Sequence, residues 1–137
     1  MDNPVNLHTD LSTLSTKQLG ALAEDKAIEY IENNGGIILK RNYTTPYGEV
    51  DIIVQWGNII AFVEVKCRRT ISKGTPQEAV SKAKQKRYAY CAANYVNENS
   101  LSAQIRFDVC AVRVINNTFQ IDYTQNAFDM GQADFFY

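Results

Sequence analysis

Glu49-Val50-Asp51-Ile52-Ile53-Val54-Gln55-Trp56-Gly57-Asn58-Ile59-Ile60-Ala61-Phe62-Val63-Glu64-Val65-Lys66-Cys67-Arg68 reads as two β-strands joined by a tight turn. β-Branched residues dominate both runs, and Gly-Asn between them is a dipeptide that closes two-residue hairpins. Such a loop pairs Trp56 with Ile59, which predicts Asp51 opposite Glu64 and Glu49 opposite Lys66. Side chains alternate along a strand. Glu49, Asp51, Glu64 and Lys66 would then share one sheet face with Ile53, Ile60 and Phe62, so the charged end of the hairpin emerges from a buried surface.

Carboxylates directly opposed across strands repel each other. Either one is protonated or a cation lies between them. Hard oxygen ligands at this spacing suit Mg²⁺ or Mn²⁺. The bland alternative is a surface cluster in which Lys66 neutralises Glu49. Two further residues point toward the same interior. In a helix opened by Ser15-Thr16-Lys17-Gln18 and running to about Asn33, Glu24 falls inside the apolar arc of Leu19, Ala23, Ala27, Tyr30 and Ile31. It either meets a cation or snorkels to water. In the helix expected from Thr75-Pro76 to about Val96, Lys84 lies mid-arc among Tyr88, Cys91, Ala92 and Tyr95, with Gln85 near the arc's far side. It either meets an anion or snorkels.

Working outward, Ile37–Tyr43 reads as a strand and Thr44–Gly48 as a loop. Ile105–Ile115 and Thr118–Tyr123 form a second hairpin around Asn116-Asn117. The order helix, three strands, helix, two strands reads as an α/β or α+β sandwich, with a mixed sheet of about five strands flanked by helices. Residues 1–14, polar and aperiodic, are expected as a flexible N-terminal tail. Residues 15–128 form a single domain and residues 129–137 a C-terminal tail.

A chain of 137 residues, 45% hydrophobic and 21% charged, suits one globular domain rather than a disordered segment. No apolar run is long enough to span a bilayer, and the start lacks a secretory pattern, so a cytoplasmic protein with no membrane role is expected. Cys67, Cys91 and Cys110 are an odd, scattered set that fits reduced thiols. The only histidine, His8, lies in the tail, which argues against histidine-based catalysis. Net charge is −1, yet Lys66, Arg68, Arg69, Lys73, Lys82, Lys84, Lys86 and Arg87 crowd the stretch from Glu64 to Tyr88. That stripe is either an anion footprint or an ordinary solvated face.

The chain resembles the YraN-like family of endonuclease-like proteins from Thr16 to Phe128. The resemblance is carried by Gly20-x-x-x-Glu24-Asp25-x-Ala27, Arg41-Asn42-Tyr43, Pro46-Tyr47-Gly48-Glu49-Val50-Asp51 and Phe62-Val63-Glu64-Val65-Lys66-x-Arg68. It continues through Ala79-Val80, Lys84-Gln85-x-Arg87, Arg106-Phe107-Asp108-Val109 and Asn126-Ala127-Phe128. That family is similar to compact PD-(D/E)xK nucleases, so the resemblance implies a restriction-endonuclease-like core. Val50 stands where many PD-(D/E)xK members have proline. The resemblance also implies a catalytic set of Glu24, Asp51, Glu64 and Lys66. Mg²⁺ or Mn²⁺ would be held by Asp51, Glu64 and the Val65 carbonyl. Arg68, Arg69, Lys73, Lys82, Lys84, Gln85, Lys86 and Arg87 would bind the nucleic acid, DNA rather than RNA, with branched or structured DNA among the candidates. A homodimer would be needed to cut both strands of a branched substrate. The alternative is a non-catalytic nucleic-acid-binding module on the same fold.

Overall fold

The computed structural model describes residues 10–69 and 80–129. Helix α1 (Thr16–Asn33) opens with the expected capping box: the Ser15 hydroxyl accepts the Gln18 N–H, and the Gln18 side chain accepts the Ser15 N–H. It ends at Gly35-Gly36, where a Cβ on Gly36 would lie 2.5 Å from an Ile31 methyl. That contact lets the chain turn directly beneath the helix.

Five strands follow: β1 (Ile37–Thr45), β2 (Gly48–Trp56), β3 (Ile59–Arg68), β4 (Gln104–Ile115) and β5 (Thr118–Phe128), with helix α2 (Lys82–Glu98) between β3 and β4. They form one mixed sheet in the order β1-β2-β3-β4-β5. All neighbours are antiparallel except β3 and β4, whose parallel pairing requires the crossover that α2 supplies. This is an α/β fold with a five-stranded mixed sheet flanked by two helices, and its topology is restriction-endonuclease-like.

The sheet is buried on both faces. One face packs Val50, Ile53, Ile60, Phe62, Phe107 and Val109 against Val80, Tyr88, Ala89, Cys91 and Ala92 of the α2 side. The other packs Ile52, Val54, Ala61, Val63, Cys110 and Val112 against Ala23, Ala27 and Ile31 of α1.

Several boundaries differ from the sequence reading. The Thr44–Gly48 loop shrinks to Pro46-Tyr47, because the Thr45 hydroxyl donates to the Gly48 carbonyl and accepts the Tyr47 N–H. Helix α2 starts at Lys82, with Ser81 as the cap accepting the Lys84 N–H, so it is not one helix from Thr75. Thr75 to Glu78 lie outside the described residues. Strand β5 runs past Tyr123 to Phe128 through an irregularity at Asn126, whose φ is +53°. Part of the stretch expected as an N-terminal tail is described. Leu11–Thr13 form a 3-10 turn, Leu11 is buried, and its N–H donates to the Asn117 side chain.

Candidate active site

The β2–β3 ladder holds the expected register from Trp56–Ile59 to Ile52–Val63, where it stops. Beyond that point β3 continues with β4 as far as Arg68–Arg113, while β2 continues with β1 through Val50–Tyr43. The strands part, and strict alternation breaks at Asp51: Val50 faces the α2 layer and Ile52 the α1 layer, one residue away from the regular pattern. Asn42, opposite the break, takes a φ of +51°. Into the gap the Asp51 carboxylate accepts the Val65 N–H at 2.8 Å, replacing a ladder carbonyl.

Asp51 and Glu64 are not a ladder pair, yet they lie close enough for the Glu64 charge to act on Asp51. Glu64 is 2% exposed, on the α2 face of β3. Its Oε1 accepts the Tyr88 hydroxyl at 2.7 Å. Its Oε2 lies 2.7 Å from the Lys84 ammonium and 3.6 Å from that of Lys66. Tyr88 also receives the Asp51 N–H at 3.3 Å, so one hydroxyl ties both acidic residues to α2.

Burial pushes the Glu64 carboxyl up, but Lys84 and the Tyr88 hydroxyl outweigh it and hold Glu64 below the ordinary range. Asp51 goes the other way. Burial first, then the Glu64 charge, a hydrogen bond shared with Glu64 and the more distant Glu24 raise it to about 7, despite the Val65 N–H. Of the two, Asp51 is therefore the group that takes up a proton more readily, and Glu64 the one that keeps its charge.

The other expected residues divide. Glu24, on α1, is near enough for its charge to reach Asp51, but its carboxylate pairs with Arg41 at 3.5 Å, and Asp25 pairs with the same guanidinium at 3.1 Å. Glu49 does not face Lys66. It is exposed opposite Thr44 of β1, because the hairpin ladder has ended and Lys66 turns to Glu64. Lys84 points inward to Glu64, so its ammonium is not spread on the surface with the basic stripe.

Gln85 is buried and donates to the Val80 carbonyl, which removes it from a surface role. Arg69, exposed just past β3, donates to the carbonyls of Leu11 and Leu14 at 3.1 and 2.6 Å and fastens the N-terminal turn. Lys82, Lys86 and Arg87 are exposed on α2, and Arg68 is half-exposed at the end of β3. Lys73 lies outside the described residues. Among the described residues, no group of three His, Cys, Asp or Glu side chains is placed to hold a metal ion. Nor is any helix long and apolar enough to cross a membrane.

Sequence reasoning read Tyr88 only as core. Its position four residues after Lys84 was the available signal, since residues at i and i+4 share a helix face. It also passed over the packing role of the Arg106-Phe107-Asp108 stretch. Asp108 is fully buried and accepts Arg106 Nε and Nη2 at 2.8 and 2.9 Å, Tyr123 Oη at 2.6 Å and the Asn126 N–H at 2.9 Å. Trp56 Nε1 donates to the same Tyr123 oxygen at 3.1 Å, which joins β2, β4 and β5 through one buried carboxylate.

Residues 23–112 match the family described as Uncharacterised protein family UPF0102. A UPF0102 protein of Desulforapulum autotrophicum is 44% identical over 113 residues, covering 82% of this chain and 93% of that protein. The chain belongs to the UPF0102 family. This is the YraN-like group, homologous to PD-(D/E)xK restriction-endonuclease-like proteins, to which the motif string pointed. A UPF0102 protein of Dictyoglomus thermophilum is 40% identical over 119 residues, covering 84% of this chain and all of that protein. One of Syntrophotalea carbinolica is 43% identical over 119 residues, with 86% and 97% covered. In this UPF0102 chain the nuclease-like core therefore accompanies two neighbouring carboxyls and two lysines at the open end of the β2–β3 hairpin.

Proposed function

We propose that this chain is a metal-dependent nuclease that hydrolyses phosphodiester bonds of DNA at the Asp51–Glu64–Lys66 site. The observation that supports this most is the geometry where the strands part: Asp51 accepts the Val65 N–H, and Tyr88 receives the Asp51 N–H while donating to Glu64, which keeps two acidic residues side by side. The donor chemistry fits a hard divalent cation, which would lie between the two acidic groups and relieve their repulsion. Asp51, Glu64 and the Val65 carbonyl would hold Mg²⁺ or Mn²⁺, with waters completing the shell. Bound there, the ion would supply an activated water and screen the phosphate.

The chain's own groups do the rest. Lys66 and Lys84 bring positive charge to where the phosphate gains negative charge, in a site whose buried walls strengthen it. Lys66, the more distant lysine partner of Glu64 at 3.6 Å, orients the attacking water. Tyr88 keeps Glu64 aimed and Asp51 anchored from one helix. Glu24 stands in reserve on Arg41 and would reach the site through a water. Lys82, Lys86, Arg87 and Arg68 would contact the phosphate backbone, which positions a substrate without reading its sequence.

The test is incubation of the chain with branched, single-stranded and duplex DNA and with structured RNA, across Mg²⁺ and Mn²⁺. Cleavage should appear on DNA, require the metal, and be lost in Asp51→Asn and Lys66→Ala. Wild type and both variants behaving alike would sink the catalytic reading. Calorimetric uptake of Mn²⁺ should weaken in Glu64→Gln, and unchanged uptake would remove the ligand assignment. If branched DNA is cut on both strands, sedimentation should show two copies.

One observation favours a second reading, a non-catalytic nucleic-acid-binding module. Glu64 is already neutralised by lysines and Glu24 by arginine, so the acidic groups have partners without a metal. Salt-dependent DNA binding with no metal uptake would select it.

A further inference from the structure

Ile37, Tyr47 and Tyr90 are the large hydrophobic side chains left exposed among the described residues, and two of them touch each other. Tyr47, in the β1–β2 turn, and Tyr90, on α2, stack with ring centroids 5.3 Å apart and an interplanar angle of 26°. They remain 49% and 45% exposed, so the pair adds flat aromatic surface to the outside rather than filling the core.

The pair is also held in place. The Thr45 hydroxyl accepts the Tyr47 N–H and lies 3.2 Å from the Cys91 sulfur, pinning the turn to α2. The Arg87 stem passes over Gly48, where a Cβ would lie 3.5 Å from Arg87 Cδ. Gly48 has a φ of +140°, a backbone state open to glycine. Cations flank the rings. Lys86 and Arg87 precede Tyr90 by four and three residues on the same helix, which places them beside it. Lys82 lies one turn earlier, and the only acid in α2 is Glu98 at its far end.

We infer that Tyr47 and Tyr90 form a stacking platform for unpaired nucleobases, with Lys86 and Arg87 holding the adjoining phosphates. This deepens the nucleic-acid reading above and rests on it. Aromatic faces beside a basic track bind single strands, because every base has a face to stack while the cations follow the backbone. Duplex offers such a surface no free base. Tyr47 lies in the turn that opens β2, four residues before Asp51, so the two are within about 13 Å at 3.3 Å per residue. A single-strand site spans roughly 4 to 16 nucleotides, so one strand reaches both the platform and the carboxyls. The occupant is thus a single-stranded segment, DNA or RNA, such as a flap, a loop or the open arm of a branch.

The test is fluorescence anisotropy in chelator at fixed salt. The probes are labelled oligothymidylate and oligouridylate of about 20 nucleotides, long enough to cover one site, and a duplex of the same length. Wild type should prefer single strand to duplex, and the sugar that binds tighter names the source. Tyr47→Ala and Tyr90→Ala should each cut that preference about tenfold, in keeping with the stacking of one base. Tyr90→Phe should keep it and Tyr90→Leu should lose it, which separates stacking from packing. A wild type without single-strand preference, or alanine variants that retain it, overturns the platform. Chelator removes metal-dependent cleavage, so this result is independent of whether Asp51 and Glu64 cut.

Discussion

Replacing Asp51 by asparagine should stabilise the metal-free protein at neutral and alkaline pH. The native carboxyl is held at about 7 against an ordinary 3.8, by burial first and the Glu64 charge second. In the unfolded chain Asp51 ionises near 4. Between about pH 4 and pH 7 the folded state therefore binds more protons than the unfolded state, and stability falls as pH rises through that window before levelling off. The whole difference corresponds to about 4 kcal/mol. Glu64, held below its ordinary range by Lys84 and Tyr88 against its burial, acts in the opposite sense but at lower pH, below this window. Asparagine keeps the geometry. Its carbonyl oxygen can accept the Val65 N–H and its amide can donate to Glu64, so no buried group loses a partner. Melting in chelator at pH 4, 6 and 8, by calorimetry with matched urea titrations, should show Asp51→Asn level with wild type at pH 4. At pH 8 it should melt about 10 °C higher, given a few degrees per kcal/mol for a domain of this size. A variant less stable than wild type at pH 8, or an equal difference at every pH, would refute the account of repulsion at the site.

Tyr88→Phe removes the hydroxyl that bonds Glu64 at 2.7 Å and receives the Asp51 N–H; it should cost about 1.5–3 kcal/mol in urea unfolding, and a loss near zero would mean Tyr88 acts only as packing. Asp108→Ala strands Arg106, Tyr123 and the Asn126 N–H around a buried vacancy. It should cost about 3–5 kcal/mol and sharply reduce the folded fraction seen by circular dichroism. Ser15→Ala opens the α1 capping box, with an expected loss of about 1 kcal/mol in the same unfolding assay; an unchanged midpoint would show that packing alone holds the helix end. Arg69→Ala should release the N-terminal turn from β3, read as faster amide exchange at Leu14 and Ser15 with little change in α2.

Much of the fold was legible because its determinants are local. The alternation from Ile52 to Val63, broken by Gly57-Asn58, sets both the hairpin and its register. The Asn116-Asn117 turn takes positive φ at both residues, at 50° and 60°, as the shortest hairpins demand. The capping box at Ser15 marks where α1 begins. Each of these signals acts within a few residues. The start of α2 was misread because Thr75-Pro76 and Ser81 are both good local starts, and Ser81 is the cap that places Tyr88 beneath β3.

The sequence by itself determined that acidic and basic residues would gather at the hairpin's open end, since alternation and turn length leave them nowhere else. Only the tertiary structure decided how they meet. The parallel partner β4 draws β3 away from β2 after Val63, and that separation turns Asp51 from a ladder residue into a side-chain acceptor for Val65. Helix α2 then commits Lys84 to Glu64 and withdraws Gln85 into the core. These outcomes depend on residues far apart in the chain, and local propensity carries no information about which distant strand wins the pairing.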